Sequence, residues 1–535
     1  MQMVKHAWGT LWGWHRDVMD TFQFFTTGST PTHVSGGVKA DRTPEPGADP
    51  RKKIGFLLGP LLFLFIFFFF SPEGLSKEAV AVLAGTVWIA VWWITEAIPI
   101  PATSLLPIIL FPVTGALKGG EVTSAYGDGT IFLFMGGFII AIAMEKWNLH
   151  KRIAMNIILL IGTSTERIVL GFMLATGFLS MWISNTATAM MMLPIGTAVI
   201  YQVNESLKQE GAKRTGHFSK VIMLGIAYSA SIGGLGTLIG TPPNTIFAAV
   251  LKQLYGIDFS FAKWMLFGVP LAAILLMVTW WYLIKVAFPL KIKELPGGRE
   301  IVEKENRSLG SVSFEEKLVL TVFVTTAICW ITRSFLLNQW IPSLDDTIIA
   351  ITGALTLFLL PGRKQSRLIH WEDAKKLPWG ILLLFGGGLA IAKGFKETGL
   401  AEWIGKQLTV LEGISFIIIL VAVTAFVIFL TEITSNTATA TMMFPIMAAL
   451  AAALNVHPYS MMVAAGLAAS CAFMLPVATP PNAVVFGSGY IKMGDMVKAG
   501  LWLNLISIVF ITLLIYFFMP IVWGVDLNVF PEHMK

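Results

Sequence analysis

Charge is what this 535-residue chain has least of: Asp, Glu, Lys and Arg together supply 13% of it, against about 25% in an ordinary soluble domain. That scarcity excludes the soluble globular class. Cysteine is also nearly absent. Cys329 and Cys471 both lie in apolar stretches, which excludes a disulfide framework and a thiolate metal site. No His-Glu-x-x-His, Gly-x-Ser-x-Gly or carboxylate pair occurs within the apolar segments, so no enzyme is expected. Gly233-Gly234-Leu235-Gly236 has the wrong spacing for a dinucleotide loop, and no alternating strand precedes it.

What is present in excess is apolar surface, at 55% of residues with a mean hydropathy of +0.72. About 20 residues cross the hydrocarbon core of a bilayer. Runs of that kind recur at Ile54–Phe70, Val80–Thr95, Phe267–Val286, Leu318–Ile331, Ile348–Leu360 and Leu501–Phe518. The first begins too late to be a cleaved signal peptide. The pattern is that of an all-α polytopic membrane protein embedded in a lipid bilayer.

The formal net charge of +6 does not indicate nucleic acid. The basic residues gather in loops between apolar segments: Arg51-Lys52-Lys53, Lys208 with Lys213 and Arg214, Lys291 to Arg307, and Arg363-Lys364 with Lys375-Lys376. Such loops face the cytoplasm. Threading the chain by this rule puts the N-terminus inside, the C-terminus outside, and about eleven helices between. Residues 1–50 read as an interfacial helix with Trp8, Trp12 and Trp14 among basic residues, followed by a Gly/Pro/Ser/Thr-rich linker.

One sequence occurs twice. Ser184-Asn185-Thr186-Ala187-Thr188-Ala189 returns as Ser435-Asn436-Thr437-Ala438-Thr439-Ala440, 251 residues later. The same offset aligns Phe134, Gly136 and Gly137 with Phe385, Gly387 and Gly388. This divides the chain into repeats over 51–300 and 301–535. Residues 153–205 contain two apolar arms whose ends both lie on the cytoplasmic side, and 413–455 form the equivalent unit from the other side. Two such arms make either a pair of full helices or a re-entrant hairpin. The odd number of crossings between equivalent points inverts the second repeat. Inverted duplicates of this kind mark secondary transporters.

A second pair follows the first. Gly240-Thr241-Pro242-Pro243-Asn244 and Ala478-Thr479-Pro480-Pro481-Asn482 interrupt long apolar segments. Pro-Pro breaks a helix and frees carbonyls, and matched broken helices point to a transport site. Neither break and neither Ser-Asn-Thr-Ala-Thr stretch contains a charged residue. A bound anion would therefore be held by neutral dipoles and by co-bound cations, with sodium lowering the electrostatic cost of a dianion in the membrane. Proton coupling would call for an intramembrane carboxylate or His. Glu432 is the one candidate, and a structural or vestibular role is expected for it. Lys393 and Arg333, near helix ends, are expected to snorkel to an interface.

Together these motifs, with Trp92-Trp93-Ile94-Thr95-Glu96-Ala97-Ile98-Pro99-Ile100-Pro101, resemble the divalent anion:sodium symporter (INDY-type) family. Within it they look like the Gram-positive bacterial sodium/dicarboxylate symporters. The resemblance covers about residues 51–535. It implies a homodimer in the bacterial plasma membrane, each protomer with a scaffold domain and an elevator-type transport domain carrying two re-entrant hairpins. It further implies that Asn185 and Thr186 hold one substrate carboxylate and Asn436 and Thr437 the other, over a floor of Thr241, Pro242, Thr479 and Pro480. One sodium would bind Ser180, Ser184, Asn185 and the Gly240 carbonyl. A second would bind Thr431, Ser435, Asn436 and the Ala478 carbonyl. Sodium is the implied coupling ion, with no organic cofactor, and succinate, malate and fumarate are the implied cargo. A sodium-independent exchanger and a citrate or sulfate carrier are the alternatives on the same fold.

Overall fold

A computed structural model describes residues 50–534 apart from 163, 210–215, 291–297, 364–366 and 412. The interfacial helix and linker expected before residue 50 lie outside the described residues. The described chain is helical, with one isolated β-bridge between Pro361 and Arg367.

The first half runs α1 Pro50–Phe69, α2 Lys77–Thr95, α3 Leu106–Val113, α4 Gly129–Lys146 and α5 Leu149–Ile161. It continues with α6 Thr165–Ser180, α7 Asn185–Gln209, α8 Gly216–Gly234, α9 Pro242–Tyr255 and α10 Phe261–Tyr282. The second half has α11 Phe314–Thr332, α12 Asp346–Leu359, α13 Trp379–Glu397, α14 Leu400–Leu408 and α15 Phe416–Thr431. It closes with α16 Asn436–Ala453, α17 Pro458–Ala469, α18 Pro480–Phe486 and α19 Met493–Leu513. Thus α6 and α15, and α7 and α16, begin at positions 251 residues apart. Between α7 and α9 the offset falls, so that Thr241 matches Thr479. The second repeat is shorter there because α16 ends after 18 residues where α7 runs for 25.

Among the described residues, eight helices are long and apolar enough to cross a bilayer, or nine if α14 and α15 form one bent span. The sequence-based count of about eleven also includes segments that fold as shorter apolar helices: Ile100–Val113, Asp346–Leu359 and Pro458–Ala469. Proline at positions 99, 101, 107 and 112 divides the first of these. The arms α6 and α15 are 16 residues each. At 1.5 Å per residue they extend about 24 Å, less than the hydrocarbon thickness of about 30 Å. The residues at their C-terminal ends, Ser180 and Thr431, are buried.

The core is built around α8 and α17. Every residue of α17 is buried, as is nearly all of α8 beyond His217. Close approach uses glycine: a Cβ at Gly233 of α8 would lie 2.1 Å from the Gly177 carbonyl oxygen of α6. The two halves also interlock. Helix α9, after the first break, packs on α16 and α17, while α18, after the second, packs on α7 and α8.

Arg333 departs from expectation. Its side chain is buried rather than snorkelling. Its Nε lies 2.7 Å from Asp346 Oδ1, and its Nη1 is 3.3 Å from Asp258 Oδ2. The Phe261 N–H completes the cluster by donating to Asp346 Oδ2 at 2.7 Å. A buried guanidinium is tolerated here because two carboxylates face it. Lys393 is half-buried, its Nζ donating to the Glu121 carbonyl at 3.2 Å and to the exposed Ser124 Oγ at 3.3 Å. Both cysteines are free, Cys471 buried and Cys329 half-buried.

Candidate functional site

The chain breaks four times around one point. Between α6 and α7 the segment Met181–Ser184 turns the backbone, and Ser184 Oγ accepts the Ala187 N–H at 3.1 Å as the cap of α7. Between α15 and α16 the same turn falls at residues 432–435. Between α8 and α9, and again between α17 and α18, an unwound stretch ends in Thr-Pro-Pro-Asn. Proline suits the first helical position because the missing N–H is unpaired there anyway. Thr241 and Thr479 take the cap position with nearly the same backbone, φ −145° ψ 142° and φ −139° ψ 147°.

Each break is held by its own asparagine. Asn244 Nδ2 donates to the carbonyls of Gly234 and Thr237 at 3.0 and 2.8 Å. Asn482 Nδ2 donates to those of Ala472 and Leu475 at 3.1 and 3.0 Å. These carbonyls lie in or at the edge of the unwound stretches, where regular helical pairing stops, and in a dry interior they need a donor.

The hairpin tips are tied to the central helices in matching ways. Ser180 Oγ lies 2.5 Å from Asn185 Oδ1 and donates to the Ala230 carbonyl of α8 at 2.6 Å. Thr431 Oγ1 lies 2.8 Å from Asn436 Oδ1 and 3.0 Å from the Ala469 carbonyl of α17. In the first half the Asn185 amide also approaches the Gly240 carbonyl at 3.2 Å and the Ala230 carbonyl at 3.1 Å. With the amide nitrogen inward, it donates to these oxygens. With the amide oxygen inward, four oxygens converge, an arrangement a cation satisfies and a hydrogen-bond network does not. Neutral hydroxyl, amide and carbonyl oxygens suit a hard cation. The donor set thus fits sodium.

The four breaks enclose one cavity of about 580 Å³. Asn185, Thr186, Thr241, Pro242, Asn436, Thr437, Thr479 and Pro480, the expected substrate residues, all line it. Ser184, Gly240, Ser435 and Ala478 of the expected cation sets line it too. Ser180 and Thr431 do not reach the wall. They stand buried behind Asn185 and Asn436.

Several lining residues escaped the motif reading. Phe134, Phe138, Ile239 and Leu384 make one apolar wall, and the Phe134 ring packs 5.1 Å from that of Phe385. The shared 251-residue offset of these two phenylalanines was the available signal. Arg51, Lys52 and Glu96 also line the cavity, with Lys52 Nζ 3.8 Å from a Glu96 carboxylate oxygen. They come from the first turn of α1 and the end of α2, far from either motif in sequence.

Glu432 has a structural role, as expected, and it is specific. Its Oε1 accepts the N–H groups of Phe473 and Met474 at 2.8 and 2.9 Å and the Asn504 amide at 2.7 Å. Its Oε2 accepts the Leu475 N–H at 3.0 Å. It therefore staples the second hairpin tip to the second break and to α19. The first repeat has Met181 at this position and uses a neutral tie, Thr237 Oγ1 donating to the Met181 carbonyl at 2.5 Å.

A family model described as "Sodium:sulfate symporter transmembrane region" matches residues 52–525. A sodium-dependent dicarboxylate transporter of Staphylococcus saprophyticus is 53% identical over 482 residues, covering 89% of this chain and 93% of that protein. The Staphylococcus aureus protein of the same description is 54% identical, covering 89% and 92%. Among solved structures, the Alcanivorax borkumensis YdaH transporter aligns over 74% of this chain and 87% of its own, with a TM-score of 0.52 and 14% identity. Neisseria gonorrhoeae MtrF aligns over 85% and 96%, with a TM-score of 0.51 and 11% identity. At such identities the structural likeness concerns the fold alone.

Proposed function

This chain belongs to the sodium:sulfate symporter transmembrane family, and from that premise we propose that it is a sodium-coupled importer of four-carbon dicarboxylates such as succinate, malate and fumarate. The observation that carries the reading is the paired site: two oxygen clusters behind two Asn-Thr tips, facing each other across one cavity. The staphylococcal relatives described as sodium-dependent dicarboxylate transporters support the choice of ion and cargo.

The chemistry follows from the parts. Asn185 and Thr186 take one carboxylate, Asn436 and Thr437 the other, and two tips of similar build suit a ligand with an anionic group at each end. The helices α7 and α16 start at these tips, and a helix N-terminus carries roughly half a positive charge. Sodium supplies the remaining countercharge. Each ion orders its own hydroxyl and amide oxygens and so fixes the asparagine that the carboxylate then meets. Ser180, Ser184, Asn185 and Gly240 serve one ion; Thr431, Ser435, Asn436 and Ala478 serve the other. Because the two Asn-Thr tips hold the carboxylates by neutral dipoles, a dianion at the tips without sodium is poorly paired, and this couples the two fluxes.

The cavity is lined by residues of α1 and α2 as well as by the paired tips and breaks. We assign the first group to a scaffold domain and the second to a transport domain, with residues 153–205 and 413–455 as its re-entrant hairpins. The transport domain crosses as an elevator, in a homodimer with the N-terminus inside and the C-terminus outside. Substitution tests the site: Asn185→Ala and Asn436→Ala each abolish sodium-dependent succinate uptake while folded protein remains in the membrane. Uptake that survives in both variants removes the assigned roles.

A further inference from the structure

One cavity-wall hydroxyl takes part in none of the interactions above. Ser231 stands on α8, 2% exposed. It lines the cavity, and its Oγ has no hydrogen-bond partner among the described residues. A helical serine commonly satisfies itself on the carbonyl four residues back. Its counterpart Ser470, the cap just past the end of α17, does so, reaching the Gly466 carbonyl at 3.5 Å, and does not line the cavity. The two halves thus differ: one hydroxyl is tied into its helix and the other is left toward the site.

The neighbours of Ser231 say where that hydroxyl lies. The preceding carbonyl, Ala230, accepts from Ser180 Oγ at 2.6 Å. One turn on, Gly234 has no side chain, and a Cβ there would sit 2.9 Å from Asn185 Oδ1 and 3.0 Å from the Gly240 carbonyl oxygen. Residues three apart share a helix face, so Ser231 lies on the face turned to the Asn185–Gly240 pair. That pair belongs to the first oxygen cluster.

We propose that Ser231 is a further ligand in the first half-site, its Oγ adding one neutral oxygen for a monovalent hard cation. The proposal rests on the sodium-coupled reading above. A hydroxyl there offers a lone pair to a cation while staying neutral, so it needs no counter-ion. The first half-site would then hold sodium with one oxygen more than the second, and the two ions would bind with unequal affinity.

The test is sodium-dependent thermal stabilisation of the purified protein, titrated against a potassium control without dicarboxylate and paired with succinate uptake at saturating sodium. Ser231→Ala should raise the sodium midpoint of the tighter phase about tenfold, within the range for losing a group that supports a metal ligand. The apparent KM for succinate at saturating sodium should stay the same. Ser229→Ala is the control, since Ser229 Oγ is equally buried and unpartnered on the same helix but does not line the cavity. It should leave the sodium midpoint in place. An unchanged midpoint in Ser231→Ala overturns the proposal alone, as does a midpoint moved equally by both variants. A raised succinate KM with an unmoved sodium midpoint would assign the hydroxyl to the anion instead and also overturn it. A wild-type protein that sodium does not stabilise beyond potassium removes the parent reading together with the proposal.

Discussion

Replacing Glu432 exposes how the second half-site is held together. Its carboxylate takes four N–H donors, three of them the consecutive backbone groups of Phe473, Met474 and Leu475. Glu432→Ala takes this acceptor from Met474, Leu475 and Asn504, while the Phe473 N–H keeps Asn504 Oδ1 at 3.3 Å; each donor left unsatisfied costs about 1–3 kcal/mol. Against that stands the recovered cost of burying a carboxylate, roughly several kcal/mol. The two nearly offset in global stability, so the melting temperature is a poor readout. Locally they do not offset, because the lost acceptors all belong to one segment. Glu432→Gln is the sharper variant: one amide oxygen can still serve Oε1's partners, while the new NH₂ group faces the Leu475 N–H. A penalty of about 1–3 kcal/mol on that segment corresponds to roughly 5- to 150-fold faster opening. Hydrogen exchange on peptides covering residues 473–475 reads this directly, and transport should fall with it because Ala478 and Thr479 lie on the same stretch. Unchanged exchange across 473–475 in Glu432→Gln would refute the staple.

Other expectations come from the same structure. Gly234→Ala places a methyl 2.9 Å from Asn185 Oδ1 and 3.0 Å from the Gly240 carbonyl oxygen. It should weaken sodium binding by about tenfold, roughly 1.4 kcal/mol, with little change in folding. A sodium titration of thermal stability checks it, and an unaltered midpoint would count against the first cluster. Arg333→Ala strands the buried Asp346 carboxylate and should cost about 3–5 kcal/mol. Denaturation in detergent measures this, and wild-type stability would mean that the arginine reaches solvent after all.

The sequence made the duplicated Ser-Asn-Thr tips and Thr-Pro-Pro-Asn breaks legible because those residues are anomalous in apolar surroundings and occur twice. It also matched Ser180 with Thr431, whose hydroxyls meet the tip asparagines in the structure. It did not show their other partners. That Ala230 and Ala469 supply the carbonyls depends on how α8 and α17 pack, and alanine carries no mark of it. Arg51, Lys52 and Glu96 were likewise hidden, since they arrive at the cavity by tertiary placement. Arg333 was misread because a lone cation at a helix end looks the same whether it meets lipid headgroups or Asp346 from the next helix.

The most direct test of the account is radiolabelled succinate uptake into proteoliposomes holding the purified protein, with an inward sodium gradient against a potassium control. The paired cation and anion sites predict accumulation above equilibrium that requires the sodium gradient. Uptake indifferent to sodium but dependent on internal dicarboxylate would contradict the account and make the protein an exchanger.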